Sequence, residues 1–301
     1  MKQEFTKTFT LILGGIILLA LNIIPDHDLS GVMAAASGFD FQSVPVVLIG
    51  IALVLSGTLP LFKTVQADSE SGAKTFVYVL FGGIALSLVS LFVNGSAEIV
   101  MKIVAVIALV VGYIQLKKAF EFAFDDEATK GALWVLIGGL LSIYKEVGGG
   151  IGFKIIAIVG VVLFFLGLSK LAQGLDEEGA KGAKKIRLAL ILLVVSTILD
   201  MIPLMGLVSG IVAIVAFVVE LTGYLRLKQS AAIGEIGTSG AKLLVINMII
   251  LVAASFFGII PFVGSVFVSV LATVSLVLWS VGWMRIEMGT VREEKLATVA
   301  A

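Results

Sequence analysis

The sequence predicts an all-α polytopic membrane protein whose ten transmembrane helices form five tandem helical hairpins. Three observations carry that reading. The first is composition: of 301 residues, 59% are hydrophobic and 14% charged, with a mean hydropathy of +1.14, whereas soluble domains sit near 45–50% apolar and about 25% charged. So little polar surface cannot cover the chain, and lipid must be the solvent for much of it. The second is a landmark, a glycine with a small residue seven positions before it near the end of an apolar run. It recurs as Gly50/Gly57, Ala105/Gly112, Gly160/Gly167, Ala216/Gly223 and Ser275/Gly282, with the later glycines 55, 55, 56 and 59 residues apart. A fixed period of this length marks a repeated unit. The third is turn chemistry in matching places. Asn22-Ile-Ile-Pro25, Asn94-Gly95, Gly148-Gly149-Gly150, Asp200-Met-Ile-Pro203 and Gly258-Ile-Ile-Pro261 each fall midway through a unit, where Pro and Gly interrupt a helix.

Taken in order, the apolar stretches are 8–24, 45–64, 75–94, 99–119, 132–146, 152–173, 187–203, 206–228, 243–260 and 263–286. Each is near the length that crosses about 30 Å at about 1.5 Å per residue. The fifth is the shortest, and Lys145 and Glu146 at its end are expected to snorkel to the interface. The first follows Met1-Lys2 without a small-residue cleavage site behind it, so it is read as a retained span. The chain is then one membrane domain, 1–301, with units at 7–70, 71–129, 130–180, 181–238 and 239–290 and a cytoplasmic tail at 291–301. Ser71-Gly72-Ala73-Lys74, Lys130-Gly131-Ala132-Leu133, Lys181-Gly182-Ala183-Lys184 and Ser239-Gly240-Ala241-Lys242 open the later units, and Gly14-Gly15, Gly82-Gly83 and Gly138-Gly139 sit early in the first helix of three of them.

Two helices per unit return the chain to its starting side, so all linkers face one compartment and all turns the other. Termini and linkers carry 18 Lys and Arg, while the turns carry only Lys102, Lys145 and Lys154. The excess of basic residues puts both termini in the cytoplasm of a multi-pass protein of the plasma (inner) membrane. Tyr113, Tyr224 and Trp283, each directly after a landmark glycine, are expected at headgroup level. Seven residues is two helical turns less about 20°, so each small/Gly pair lies on one stripe. Helices in lipid associate by close packing of small residues, which makes the stripe a seam within a hairpin or between hairpins.

Few residues suggest chemistry. Glu220 is the acid well inside an apolar run, three positions before Gly223, where the other units have Val54, Leu109, Phe164 and Trp279. An ionisable group in a span is a functional hypothesis by default, and its angle, about 60° from Gly223, turns it toward the packed face. It also lies about 9 Å of helix rise from Arg226, within reach of a structural pairing. Both readings stay open: a proton or cation role, or a structural one. Asp26, His27 and Asp28, with Asp40, sit in an insertion of the first hairpin and could gather around a metal or sense pH; solvated loop charges explain the same residues, and adjacent positions seldom converge on one metal. The acidic runs Asp125-Asp126-Glu127 and Asp176-Glu177-Glu178 precede helix starts, where acids favour the positive dipole end. Asn247 and Asn22 are expected to hydrogen-bond between helices, and Gly237-Thr-Ser-Gly240 is read as a linker.

No zincin, nucleophile-elbow or P-loop motif is present, so no catalytic residue and no cofactor is expected, and the chain is read as not an enzyme. Without cysteine it has no disulfide or thiol chemistry. Zero net charge and the lack of a basic stripe exclude nucleic acid as a partner. The expected partners are the lipid bilayer and a second copy or another membrane protein. An early glycine in the first helix, a Pro-bearing turn and a late Gly-x-x-x-Leu before basic residues, as in Gly82-Gly83 through Gly112-Tyr-Ile-Gln-Leu-Lys-Lys118, resemble the HdeD-like acid-resistance family of bacterial hairpin-repeat membrane proteins. That resemblance implies a plasma-membrane protein of envelope or acid stress. Two functions follow: a structural, envelope-stress or assembly component, or a small-solute or ion transporter or channel with Glu220 in its pathway. A cavity reaching Glu220 favours the second, and a dry bundle the first.

Overall fold

The structure, a computed structural model, describes residues 2–21, 44–67, 73–93, 96–119, 126–142, 151–257 and 264–290. Among the described residues there are ten α-helices and no strand: α1 (Lys2–Leu21), α2 (Val44–Ala67), α3 (Ala73–Val89), α4 (Ser96–Ala119), α5 (Glu127–Ser142), α6 (Ile151–Gly174), α7 (Glu177–Asp200), α8 (Gly206–Gln229), α9 (Gly234–Phe257) and α10 (Gly264–Thr290). Many of their residues are Val and Ile, middling helix formers in water. In lipid every backbone group must be satisfied within the segment, and the helix does that whatever the propensity. Among the described residues four helices are long and apolar enough to cross a membrane, over Thr75–Phe92, Ala157–Gly174, Gly206–Gln229 and Ala231–Phe256. Thr8–Ala20, Val47–Phe62 and Val100–Leu116 are shorter apolar helices. Outward faces are as apolar as the core: Ile49, Ile107, Ile158, Ile214 and Ile249 are all exposed. An exposed apolar belt of this extent needs an apolar solvent.

Consecutive helices pack as pairs, α1 with α2 through α9 with α10. The small/Gly landmark is the seam inside each pair. A Cβ built on Gly167 would lie 2.8 Å from the Gly131 carbonyl oxygen, and one on Gly160 2.7 Å from that of Gly138. Gly57 meets Thr8, Gly50 meets Gly15, Gly112 meets Phe76, Gly83 meets Ala105, Gly223 meets Gly182 and Gly282 meets Gly240 in the same way. As numbering rises on the first helix it falls on the second, so the pairs are antiparallel. Where the stripe continues in the fourth pair, Ser196 and Ser209 each donate to the other's carbonyl at 3.0 Å. In the second pair the partner of Gly112 is Phe76, where the third, fourth and fifth pairs have Gly131, Gly182 and Gly240.

Two expectations are corrected. Gly237-Thr-Ser-Gly240 is not a linker but part of α9. Thr238 Oγ1 donates to the Gly234 carbonyl at 2.8 Å and Ser239 Oγ to that of Ile236 at 2.7 Å, so the polar side chains bond back onto their own helix. Gly240 must be small because Gly282 crosses it. Likewise the basic run Lys181 to Arg187 belongs to α7, leaving only Leu175 and Asp176 between α6 and α7. The second correction concerns Tyr113, Tyr224 and Trp283, whose rings are buried against other helices rather than presented at the protein surface as interface anchors. Each follows a seam glycine by about 100° of rotation, which aims it at the neighbouring pair. Tyr224 and Trp283 meet edge to face at 6.2 Å, and Phe9 and Tyr113 at 5.5 Å.

The turn at 201–205 stands as expected, ending α7 at Asp200 before Pro203, with Leu204 in the left-handed region at φ 70°. The other four predicted turns, Asn22, and the insertion bearing Asp26, His27, Asp28 and Asp40 lie outside the described residues. Between pairs, α6 packs on α7, α8 on α9 and α10 on α5, so the last three pairs close into a ring. The first two pairs meet through α2 and α3 and through α1 and α4, and join the ring where α1 packs on α10.

Candidate functional site

The helices α5 to α10 line a partly open cavity of about 370 Å³. Its walls come from corresponding positions of the three pairs. Three residues before the landmark glycine, Phe164, Glu220 and Trp279 all line it. So do Gly139, Leu190 and Met248, eight residues after the first-helix seam position, and Ser142, Leu193 and Leu251, eleven after it. In the first two pairs the residues corresponding to Glu220 are Val54 and Leu109, both fully buried in packed core. Ring closure therefore converts a core position into a cavity-lining one. Trp279 reaches across the centre, and Gly139 leaves it room, since a Cβ there would strike the indole.

Glu220 is the one ionisable residue among the described residues lining the cavity. It accepts a hydrogen bond from the Tyr224 hydroxyl at 2.7 Å, one turn along α8. Arg226, the candidate structural partner, instead donates to Glu178 at 2.6 Å. Tertiary geometry thus directs the arginine away and leaves the carboxylate facing the cavity. Opposite, Ser275 Oγ and Asn247 Oδ1 are 2.5 Å apart in a buried hydrogen bond, the interhelical contact expected of Asn247. Asn247 and Ser275 occupy the seam level held by Gly138 and Gly160 in the third pair, and the fifth pair places this hydrogen-bonded couple on the cavity wall. Phe164 and Trp279 stack at 6.1 Å with an interplanar angle of 24°. The site thus combines one carboxylate, a hydroxyl–amide couple and stacked aromatic faces.

No protein-family model, no curated protein and no solved structure matches the chain. Function is accordingly read from this geometry.

The remaining candidates resolve differently. The ten landmark residues Gly50, Gly57, Ala105, Gly112, Gly160, Gly167, Ala216, Gly223, Ser275 and Gly282 are packing positions, and Ser275 alone among them also lines the cavity. Among the described residues no group of His, Asp and Glu could hold a metal ion. In the acidic runs, Asp126 caps α5 by accepting from the Ala128 N–H at 3.1 Å, Glu127 pairs with Lys170 at 2.7 Å, and Glu178 pairs with Arg226; Asp125 lies outside the described residues. Sequence reasoning passed over Glu287, which is buried near the Tyr113 phenol where α10 meets the first two pairs. Its position after Arg285 reads as a linker charge, and only the packing of α10 buries it. It also passed over Gly139 and Ser142 as wall residues, which no periodicity of α5 reveals.

Asp176 does a second job. It caps α7 through the Gly179 N–H at 3.0 Å and ties down the start of the next linker through Ser230 Oγ and the Ala231 N–H at 2.8 Å. Partial burial pushes its carboxyl up, but these hydrogen bonds outweigh that and hold it below the ordinary value of 3.8. A lowered value means that the stabilisation is present above the ordinary value and disappears as pH falls through the lowered one. Asp176→Ala should therefore lower thermal stability at neutral pH, by about 0.5–2 kcal/mol for a lost cap. Melts repeated at about pH 3 and below should show the gap to wild type closing, and a gap independent of pH rejects this account.

Proposed function

We propose that the chain is a plasma-membrane protein that crosses the bilayer ten times as five copies of one hairpin, and that it moves a small solute or ion along a path containing Glu220. The observation that carries the transport reading is the cavity, whose described lining residues include a single carboxyl group and no basic side chain. An acid within a span, held here by the Tyr224 hydroxyl, is a functional hypothesis by default, because an ionisable group costs at least about 2.5 kcal/mol at mid-bilayer. The copy reading is supported by seam contacts at matching levels in all five pairs, and the ten-span reading by apolar outer faces on both short and long helices. The protein is not an enzyme in this reading: the cavity offers one acid, with no nucleophile and base in hydrogen-bonding contact beside it. The HdeD-like resemblance implies a bacterial envelope exposed to stress.

Transport is tested by reconstituting the full chain in liposomes and following proton, sodium and organic-cation fluxes, with Glu220→Gln as the comparison. Flux above that of protein-free vesicles that is lost with Gln supports the reading; a tight, inert vesicle rejects it. Orientation rests on the 18-to-3 distribution of basic residues, and the absence of cysteine makes labelling clean. Ser71→Cys should react with a membrane-impermeant maleimide only after the cells are opened, and Ser37→Cys from outside. Labelling of Ser71→Cys in intact cells would overturn the cytoplasmic assignment.

A further inference from the structure

We infer that the cavity ligand is a monovalent organic cation with a hydrophobic body. The inference rests on the transport reading and names its substrate class. Four observations converge. A volume of about 370 Å³ is within the range of about 300–1,000 Å³ that holds small organic ligands and far above the few tens of Å³ that one water needs. Among the described lining residues there is one acid and no basic side chain, so an anion would be disfavoured, and a neutral solute would leave the carboxyl with only the Tyr224 hydroxyl as partner. Hard inorganic ions are poorly served. A divalent ion asks for six or more oxygens with several carboxylates among them, whereas ten of the 14 described lining residues are apolar and the Asn247 amide oxygen is already engaged by Ser275. Finally, Phe164 and Trp279 present stacked aromatic faces from the positions that correspond to Glu220 itself. Aromatic faces attract a cation most strongly when it is weakly hydrated, which describes a quaternary or bulky ammonium or phosphonium rather than sodium. The ligand's charge meets Glu220, its body lies against Trp279 and the leucine walls, and Tyr224 holds the carboxylate in place through its hydroxyl.

The test uses the full chain in lipid nanodiscs with tetraphenylphosphonium as probe and tetraphenylborate, of the same shape and opposite charge, as control. Wild type should bind the phosphonium at one saturable site by equilibrium dialysis, Glu220→Gln should weaken it by about tenfold or more, and Glu220→Asp, which keeps the charge, should retain most of the affinity. Tetraphenylborate should show only unsaturable partition into lipid. Monodisperse elution and an unchanged melting temperature certify each variant. If Gln does not fold, Trp279→Leu supplies a second arm, weakening the phosphonium several-fold with the acid intact. Equal binding of the phosphonium to wild type and Gln, or saturable binding of tetraphenylborate at the same site, overturns the inference. Glu220-dependent binding without flux in liposomes leaves the ligand class standing and removes transport. Glu220-dependent proton or sodium flux with no phosphonium binding removes the ligand class and leaves transport.

Discussion

Gly167→Leu is expected to destabilise the protein in detergent by about 1–3 kcal/mol, the range for overpacking a tight interior. The expectation follows from what the first added atom would meet. A Cβ on Gly167 would lie 2.6 Å from the Val135 backbone nitrogen and 2.8 Å from the Gly131 carbonyl oxygen. Backbone cannot swing aside as a flexible side chain can, so α5 and α6 would have to separate. Separation forfeits the close contacts that hold helices together in lipid, where no hydrophobic drive favours association. Gly223→Leu should behave alike, since it meets Ile186 and the Gly182 carbonyl oxygen. The internal controls are Gly82→Ala and Gly210→Ala, where nothing lies within 4 Å of the added Cβ. These should be neutral or slightly stabilising, because alanine is the better helix former. Thermal melts of the four variants decide: wild-type stability for both leucine variants would remove the seam argument.

Glu220→Gln is expected to reduce flux to the level of protein-free vesicles while leaving expression and melting temperature unchanged. Glutamine keeps the shape and can still accept from the Tyr224 hydroxyl, so the hydrogen bond at 2.7 Å has a substitute and only the ionisation is lost. If Glu220 were structural, Gln would be tolerated, and Leu would raise stability, because Val54 and Leu109 fill the corresponding positions of the first two pairs. In the ring, however, that position faces a cavity rather than packed core, so Leu should gain little. Flux and melting measured side by side separate the two roles. Unchanged flux with Gln together with a clear rise in stability with Leu would end the transport assignment for this residue.

How legible these sites are from sequence differs residue by residue. Gly131 and Gly167 are visible as a period, because small residues in lipid-embedded helices have a packing reason to recur. Gly82 and Gly83 look identical in sequence, yet Gly83 faces Leu109 and the Ala105 carbonyl while Gly82 faces nothing. Gly237-Thr-Ser-Gly240 misleads because an apolar window ends where polarity begins, whereas a helix ends only where its hydrogen bonding does. Tyr113, Tyr224 and Trp283 mislead for a related reason: an amphipathic ring before basic residues suits an interface, but it also suits an interior seam between pairs.

By itself, the sequence determined that this is a helical chain made for an apolar solvent, where the small residues recur, and that Glu220 is out of place among its counterparts. These are local properties of composition and period, and they need no knowledge of which helices meet. Only the tertiary structure decided that the last three pairs close into a ring, that Phe164, Glu220 and Trp279 share one cavity, and that Arg226 turns to Glu178. The physical reason is that helices apolar on every face carry no moment to say which side is inward. Neighbours are then chosen by the fit of small residues across the seams, and that fit is a property of pairs of helices rather than of any one.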